Sequence, residues 1–221
     1  MNKPAIFCVL IFLLYSLSFG DTKVRVGADL LLEKYFNLIE GKRVGLVTNH
    51  SAVLSDGRLL ADALHDNDKT TLVALFGPEH GIRGNAPAGA VVQNEKDPRT
   101  GVLVYSLYGA TTKPTSEMLK GVEVLLFDIQ DVGVRFYTFE STLSVTMEAA
   151  AENDIPFIVL DRPNPIRGTW IEGFVRIDSL RSFVGWNPTP IAHGMTLGEL
   201  ATMINEEHWL KKGLKAKLTV V

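Results

Sequence analysis

The pattern that most restricts this chain is an alternation of short, nearly all-apolar runs with longer stretches of helical spacing. The runs are 42–48, 72–76, 102–107, 122–127 and 155–160. Each has the length of a strand and ends at Gly, Pro, Asn, Asp or a short polar cluster, so each reads as a buried strand. Helices are expected at 28–36, 56–65, 115–120, 139–153 and from 196 to about 211. Leu143, Met147, Ala150 and Ala151 form one stripe, and Thr196 with Glu199 forms a capping box. Asp56 or Ser55 is placed to cap the helix at 56–65. Strands that alternate with helices predict the α/β class: a Rossmann-like, three-layer domain whose mostly parallel sheet is covered on both faces. A last run, 217–221, reads as a strand just beginning. A truncated domain at 21–221 with its C-terminal partner domain missing is therefore the expectation.

The totals narrow the partners. The chain has 221 residues, 46% of them hydrophobic, which suffices for one large core. A net charge of −3 without a long basic run argues against nucleic acid and anionic membranes. Residues 1–20 read as a signal peptide. Lys3 precedes an apolar run, and Ser16, Ser18 and Gly20 suit a cleavage site. The apolar run is short for a spanning helix, so no membrane span is expected in the mature chain. Cys8, the only cysteine, lies inside the signal, so the exported chain has no disulfide. Secretion or a periplasmic place in a bacterial envelope is expected. The dinucleotide fingerprint and the phosphate loop are both absent after the strands, so no cofactor is expected. Oligomeric state stays open.

The residues after each strand are polar and chemically rich. They are Asn49 and His50; Glu79, His80 and Arg83; Tyr105, Ser106 and Tyr108; Asp128, Gln130, Asp131, Arg135 and Tyr137; and Asp161, Arg162 and Asn164. In a parallel sheet these ends share one edge, where open α/β sheets bind ligands. Carboxylates, guanidiniums, amides and hydroxyls in that density suit a sugar, with Trp170 or Trp186 available for stacking. The loop 77–84 is the centre of this reading, because a carboxylate, an imidazole and a guanidinium arrive in five positions between glycines. The polar stretch 85–100 continues it as a long loop of the functional kind. Each group also has a plainer reading. Glu79 pairs with Arg83, Asp131 neutralises Arg135, Asp128 and Asp161 cap turns, the tyrosines are wall residues, and His50, His80 and His193 are structural hydrogen bonders.

The segments 44–49, 75–81, 104–109, 127–133, 160–165 and 193–196 together resemble the exo-acting β-N-acetylmuramidases, secreted glycosidases of peptidoglycan recycling long known only as a domain of unknown function. The resemblance covers about residues 40–221. It implies a Rossmann-like N-terminal domain, a smaller C-terminal domain and a site in the cleft between them. It also implies release of N-acetylmuramic acid from the non-reducing end of wall fragments, with no nucleotide and no metal. Glu79 matches the glutamate taken as catalytic.

In that reading Glu79 is the general acid, and Asp128 or Asp131 activates water or stabilises charge. Arg83, Arg135 or Arg162 holds the lactyl carboxylate of the muramic acid. Asn49, His80, Gln130 and His193 hydrogen-bond the sugar, and Tyr105, Tyr137 and Asp161 complete the substrate walls. The partner is a peptidoglycan-derived muramic acid glycoside. Two rivals remain. One is a metal-dependent hydrolase using His50, His80, Asp128 and Asp161. The other is a wall-sugar binding protein without turnover.

Overall fold

The computed structural model describes residues 24–84 and 94–221. The signal-peptide reading of 1–20 and the first part of the loop 85–100 lie outside these. The apolar runs pair as one seven-stranded sheet. Its strands are β1 (Arg43–Thr48), β2 (Thr71–Gly77), β3 (Glu95–Lys96), β4 (Leu103–Ser106), β5 (Val124–Asp128), β6 (Phe157–Val159) and β7 (Leu218–Val220). The order across the sheet is β3-β4-β2-β1-β5-β6-β7. Every pairing is parallel except β3 with β4. The sequence gives β3 no apolar signal, because it is an exposed two-residue edge strand within the expected loop.

Both faces of the sheet are apolar, as parallel strands require. On one face α1 (Gly27–Glu33) and α2 (Leu60–His65) bury Leu31, Leu60 and Leu64 against Leu46, Leu75 and Leu126. On the other, α3 (Phe139–Glu152) and α4 (Leu197–Glu206) bury Leu143, Met147, Leu200 and Ile204 against Val47, Phe127 and Val159. The result is the expected three-layer α/β/α domain.

Local chemistry corrects three of the expected helices. The span 115–120 is a turn, closed by the amide of Leu119 donating to the carbonyl of Thr115 at 3.1 Å. Pro114 and Gly121 leave it too short to propagate a helix. The helix α2 begins at Leu60, four residues late, with no side-chain cap. Residues 53–59 form a tight hairpin instead, where Asp56 binds Arg58 and Ser55 binds Asp29. The helix α4 stops at Glu206, because His208 turns left-handed and the amide of Trp209 reaches back to the carbonyl of Ile204 at 3.0 Å. Its capping box at Thr196 and Glu199 is formed as read.

The helix α3 differs in another way. Its expected single stripe is buried on nearly every side from Phe139 to Ala150. The irregular segment 166–193 covers its outer face, with Ser141 donating to the carbonyl of Phe183 at 2.6 Å and Ser144 to Asn187 at 3.0 Å.

Candidate active site

One row of the sheet runs Tyr105, Phe76, Val47, Phe127, Val159, so five parallel strands end level with one another. The chain builds outward from β1 to β2 and β4, then returns to add β5 on the other side of β1. That reversal opens a crevice between the ends of β1 and β5, the position where open α/β sheets take ligands. Asn49 leaves β1 there and Asp128 ends β5. Ser51 joins them: its amide and hydroxyl donate to the Asn49 side chain, and its oxygen accepts the amide of Gln130 at 3.0 Å.

The loop after β2 brings Glu79 to the same edge. Its backbone doubles back sharply, with His80 at φ 72° and the amide of Gly81 donating to the carbonyl of Pro78 at 3.0 Å. A non-glycine residue in the left-handed region is uncommon and costs energy that the surrounding structure must hold in place. Glu79 and His80 are half-buried. Glu79 faces the Tyr108 hydroxyl in the loop after β4. Its charge, followed by burial and a hydrogen bond between the two, raises the Tyr108 pKa. His50 packs against Gly84, where a Cβ would come within 2.7 Å of its ring, so the β1 and β2 loops touch only because residue 84 has no side chain.

Arg83, four residues after Glu79, does not pair with it. Its guanidinium makes a two-point fork to Asp62 of α2 and another to Asp97, at 2.7–3.0 Å. Asp97 is fully buried at its side chain and also accepts the amide and hydroxyl of Thr100. Burial pushes the Asp97 pKa up, but Arg83 and Thr100 outweigh it and hold it at about 2.

The remaining strand-end groups are tied to one another. Asp128 is fully buried and takes a fork from Arg162 at 2.6 and 3.0 Å, while Arg162 also reaches the carbonyl of Val53. Burial pushes the Asp128 carboxyl up and the guanidinium opposes it. Asp161 holds the start of α4, accepting the Thr196 hydroxyl at 2.7 Å and the amide of Gly198 at 2.8 Å. Gln130 spans to the carbonyls of Asp131 and Pro163. Tyr105 lies within β4, stacked on Phe76 at 5.4 Å, and Tyr137 packs edge-on against Phe139 at 5.2 Å. Arg135 donates to the carbonyls of Phe174 and Thr189, and Asp131 does not neutralise it through an ion pair.

Asp131 meets His193 instead. The Nε2 atom of His193 lies 3.2 Å from Oδ2 of Asp131, off the line of a full hydrogen bond. The Nδ1 atom accepts the amide of Met195, which puts the ring proton of the neutral form on Nε2, facing the carboxylate. Beside this pair is a residue the sequence reading missed. Glu140 in the first turn of α3 is fully buried, and neither of its carboxyl oxygens has an aligned hydrogen-bond partner among the described residues. Burial, then the charge of Asp131, push its pKa up to about 8, with Arg135 opposing and the Thr189 hydroxyl and Asn187 amide, close by but poorly aligned, opposing less. The signal was present: Glu140 precedes Leu143 by three and Met147 by seven, so it falls on the apolar stripe. Ser51 and Tyr108 are the other contributors not singled out for roles; they read as generic loop and wall polar groups.

Of the aromatic candidates, Trp170 is half-exposed and donates to Glu172 at 2.7 Å, while Trp186 carries the Arg181 guanidinium 4.2 Å above its ring. Among the described residues no three His, Cys, Asp or Glu side chains gather to hold a metal ion. Asp128 and Asp161, two of the four residues of the metal-dependent rival, are engaged elsewhere.

Comparison with known proteins shows the family and the fold. The family model for the N-terminal part of the exo-β-N-acetylmuramidase NamZ matches residues 44–221. The peptidoglycan β-N-acetylmuramidase NamZ of Bacillus subtilis (strain 168) is 53% identical over 199 residues, covering 90% of this chain and 47% of that protein. Two solved DUF1343 family proteins from Bacteroides fragilis NCTC 9343 share the fold. One has TM-score 0.82 and 50% identity, covering 89% of this chain and 49% of the other; the second has TM-score 0.79 and 39% identity, covering 90% and 52%. The chain thus spans about half the length of the relatives it matches, and over that half it belongs to the family of the exo-β-N-acetylmuramidase NamZ, N-terminal part.

Proposed function

We propose that this chain carries the proton-donating half of an exo-acting glycosidase that releases N-acetylmuramic acid from the non-reducing end of peptidoglycan fragments. The observation that supports this most is the position of Glu79. A half-buried carboxyl sits on a strained turn, beside a tyrosine hydroxyl, at the edge where the β1–β5 crevice opens. Cleavage of a glycosidic bond develops positive charge on the sugar and negative charge on the leaving oxygen, so a carboxylic acid aimed at that oxygen lowers the barrier.

The surroundings divide the other roles. Asp128 is committed to Arg162, which leaves Asp131, next to His193, as the second carboxylate for the water or the sugar cation. Arg83 and Arg162 are each held by carboxylates, whereas among the described residues Arg135 is bonded only to carbonyls. Arg135 therefore has the unpaired charge to receive the lactyl carboxylate. Gln130, half-buried just after β5, is the sugar hydrogen bonder of this group, while Asn49 and His193 are buried and support the crevice from behind. Export through residues 1–20 to the bacterial envelope would bring the enzyme to this substrate.

Incubating the purified chain with a disaccharide bearing N-acetylmuramic acid at its non-reducing end tests the reading. Free N-acetylmuramic acid in the wild type, together with its absence in Glu79→Gln, is the expected result. Binding of the sugar with no release would support the wall-sugar binding rival.

A further inference from the structure

Glu79 is held on a turn whose backbone is costly, and something must fix that turn against the domain. Two anchors follow it within four residues. Ile82 is buried against the α1–α2 face of the sheet. Arg83 enters the double fork described above, bonded at once to Asp62 on α2 and to Asp97 at the turn between β3 and β4.

The chemistry of that fork decides what Arg83 can do. A guanidinium has five N–H bonds. Four hydrogen bonds are already made to carboxylate oxygens, in two planar pairs. No two-point face is left for a third carboxylate, and one positive charge against two negative ones gives the cluster an excess of negative charge. An anionic substrate group would be repelled there. The Asp97 end is rigid, because Thr100 holds it through both its amide and its hydroxyl and the amide of Asp97 donates to the carbonyl of Val102. The clamp also ties the loop that carries Glu79 to the turn between β3 and β4 at one ion-paired point.

We infer that Arg83, with Asp62 and Asp97, is a positioning clamp for Glu79 and makes no contact with the lactyl carboxylate of the substrate. This inference rests on the proposed role of Glu79. The clamp sets where the acid stands; the substrate is read elsewhere. Displacing a catalytic group by about 1 Å costs on the order of 100-fold in rate. Loss of the clamp should therefore lower kcat by about that factor and leave KM within about twofold. Arg83→Lys keeps the charge but cannot make two planar forks, and Asp97→Asn removes one fork without touching the arginine. Asp62→Asn, at a partly exposed position, serves where either of these fails to fold.

The test has two readouts on the full chain. Amide hydrogen exchange across 77–84 reports the clamp with no need for turnover. Exchange about tenfold faster or more in Asp97→Asn and Arg83→Lys is expected, and unchanged exchange overturns the inference. Steady-state kinetics are then compared on a disaccharide with N-acetylmuramic acid at its non-reducing end, a muramide whose sugar leaving group needs protonation, and on the matching N-acetylglucosamine disaccharide, which lacks the lactyl carboxylate. Lower kcat on whichever substrate turns over, with KM preserved, supports the clamp. A large rise in KM confined to the muramide, with Asp97→Asn silent, overturns it and makes Arg83 a substrate ligand. If the wild type releases no sugar while exchange responds as expected, the glycosidase reading fails and the clamp stands.

Discussion

Glu140 offers the sharpest quantitative prediction. Its pKa moves from 4.5 to about 8 on folding, because burial and the nearby Asp131 charge both disfavour its ionised form. The native state therefore holds this proton more tightly than the unfolded chain. Between pH 4.5 and 8 the folded protein binds more protons than the unfolded one, so stability falls as pH rises through that window. One pKa unit is worth about 1.4 kcal/mol, so the full shift corresponds to roughly 5 kcal/mol, most of it already lost near pH 7. That is a large part of the 5–15 kcal/mol that typically separates folded from unfolded domains. Glu140→Gln keeps the shape and removes the titration. Urea denaturation of both proteins at pH 5, 7 and 8.5 measures the effect. Wild-type stability is expected to drop by several kcal/mol across the series relative to the variant. Charged groups facing Glu140 are Asp131 and Arg135 from the loop after β5, and both remain in the variant. Parallel pH dependences for the two proteins would refute the reasoning.

Two other perturbations follow from the ion pairs. Arg162→Met leaves the fully buried Asp128 without its partner and should cost about 3–5 kcal/mol in chemical denaturation, while adding Asp128→Leu should recover most of it. Asp97, held at about 2 from an ordinary 3.8, contributes stability above pH 3.8 that is lost as pH falls toward 2. The shift is worth about 2 kcal/mol, so Asp97→Asn should flatten the acid limb of a Tm-against-pH curve, and an unaltered limb would count against the clamp.

Much of the fold was legible because buried parallel strands announce themselves as apolar runs. The row Tyr105, Phe76, Val47, Phe127, Val159 falls inside the runs read from the sequence. The capping box at Thr196 was legible for the same reason: its signal is local. The failures were tertiary. The hairpin at 53–59 takes Asp56 and Ser55 away from capping α2, because Asp29 and Arg58 compete for them. Nothing in the spacing of 139–153 shows that 166–193 will cover the outer side of α3. At the site, spacing identified which residues sit at the strand ends but not which face solvent. Asp128 and Asp131 look alike in sequence. One is sealed by a guanidinium from a loop 34 residues on, the other faces an imidazole 62 residues on. Glu140 does not stand out in the sequence, because a carboxylate in the first turn of a helix is ordinarily a favourable surface charge.

The central claim is that Glu79 donates the proton to the leaving oxygen. The most direct measurement compares Glu79→Gln with wild type on two N-acetylmuramides, one with a nitrophenol leaving group and one with a sugar. General acid catalysis is worth roughly 10²–10⁴-fold, and a leaving group that departs without protonation needs little of it. The account expects a loss of that size on the sugar glycoside and a much smaller one on the nitrophenyl glycoside. Equal losses on both substrates, or full activity on the sugar glycoside, would contradict it.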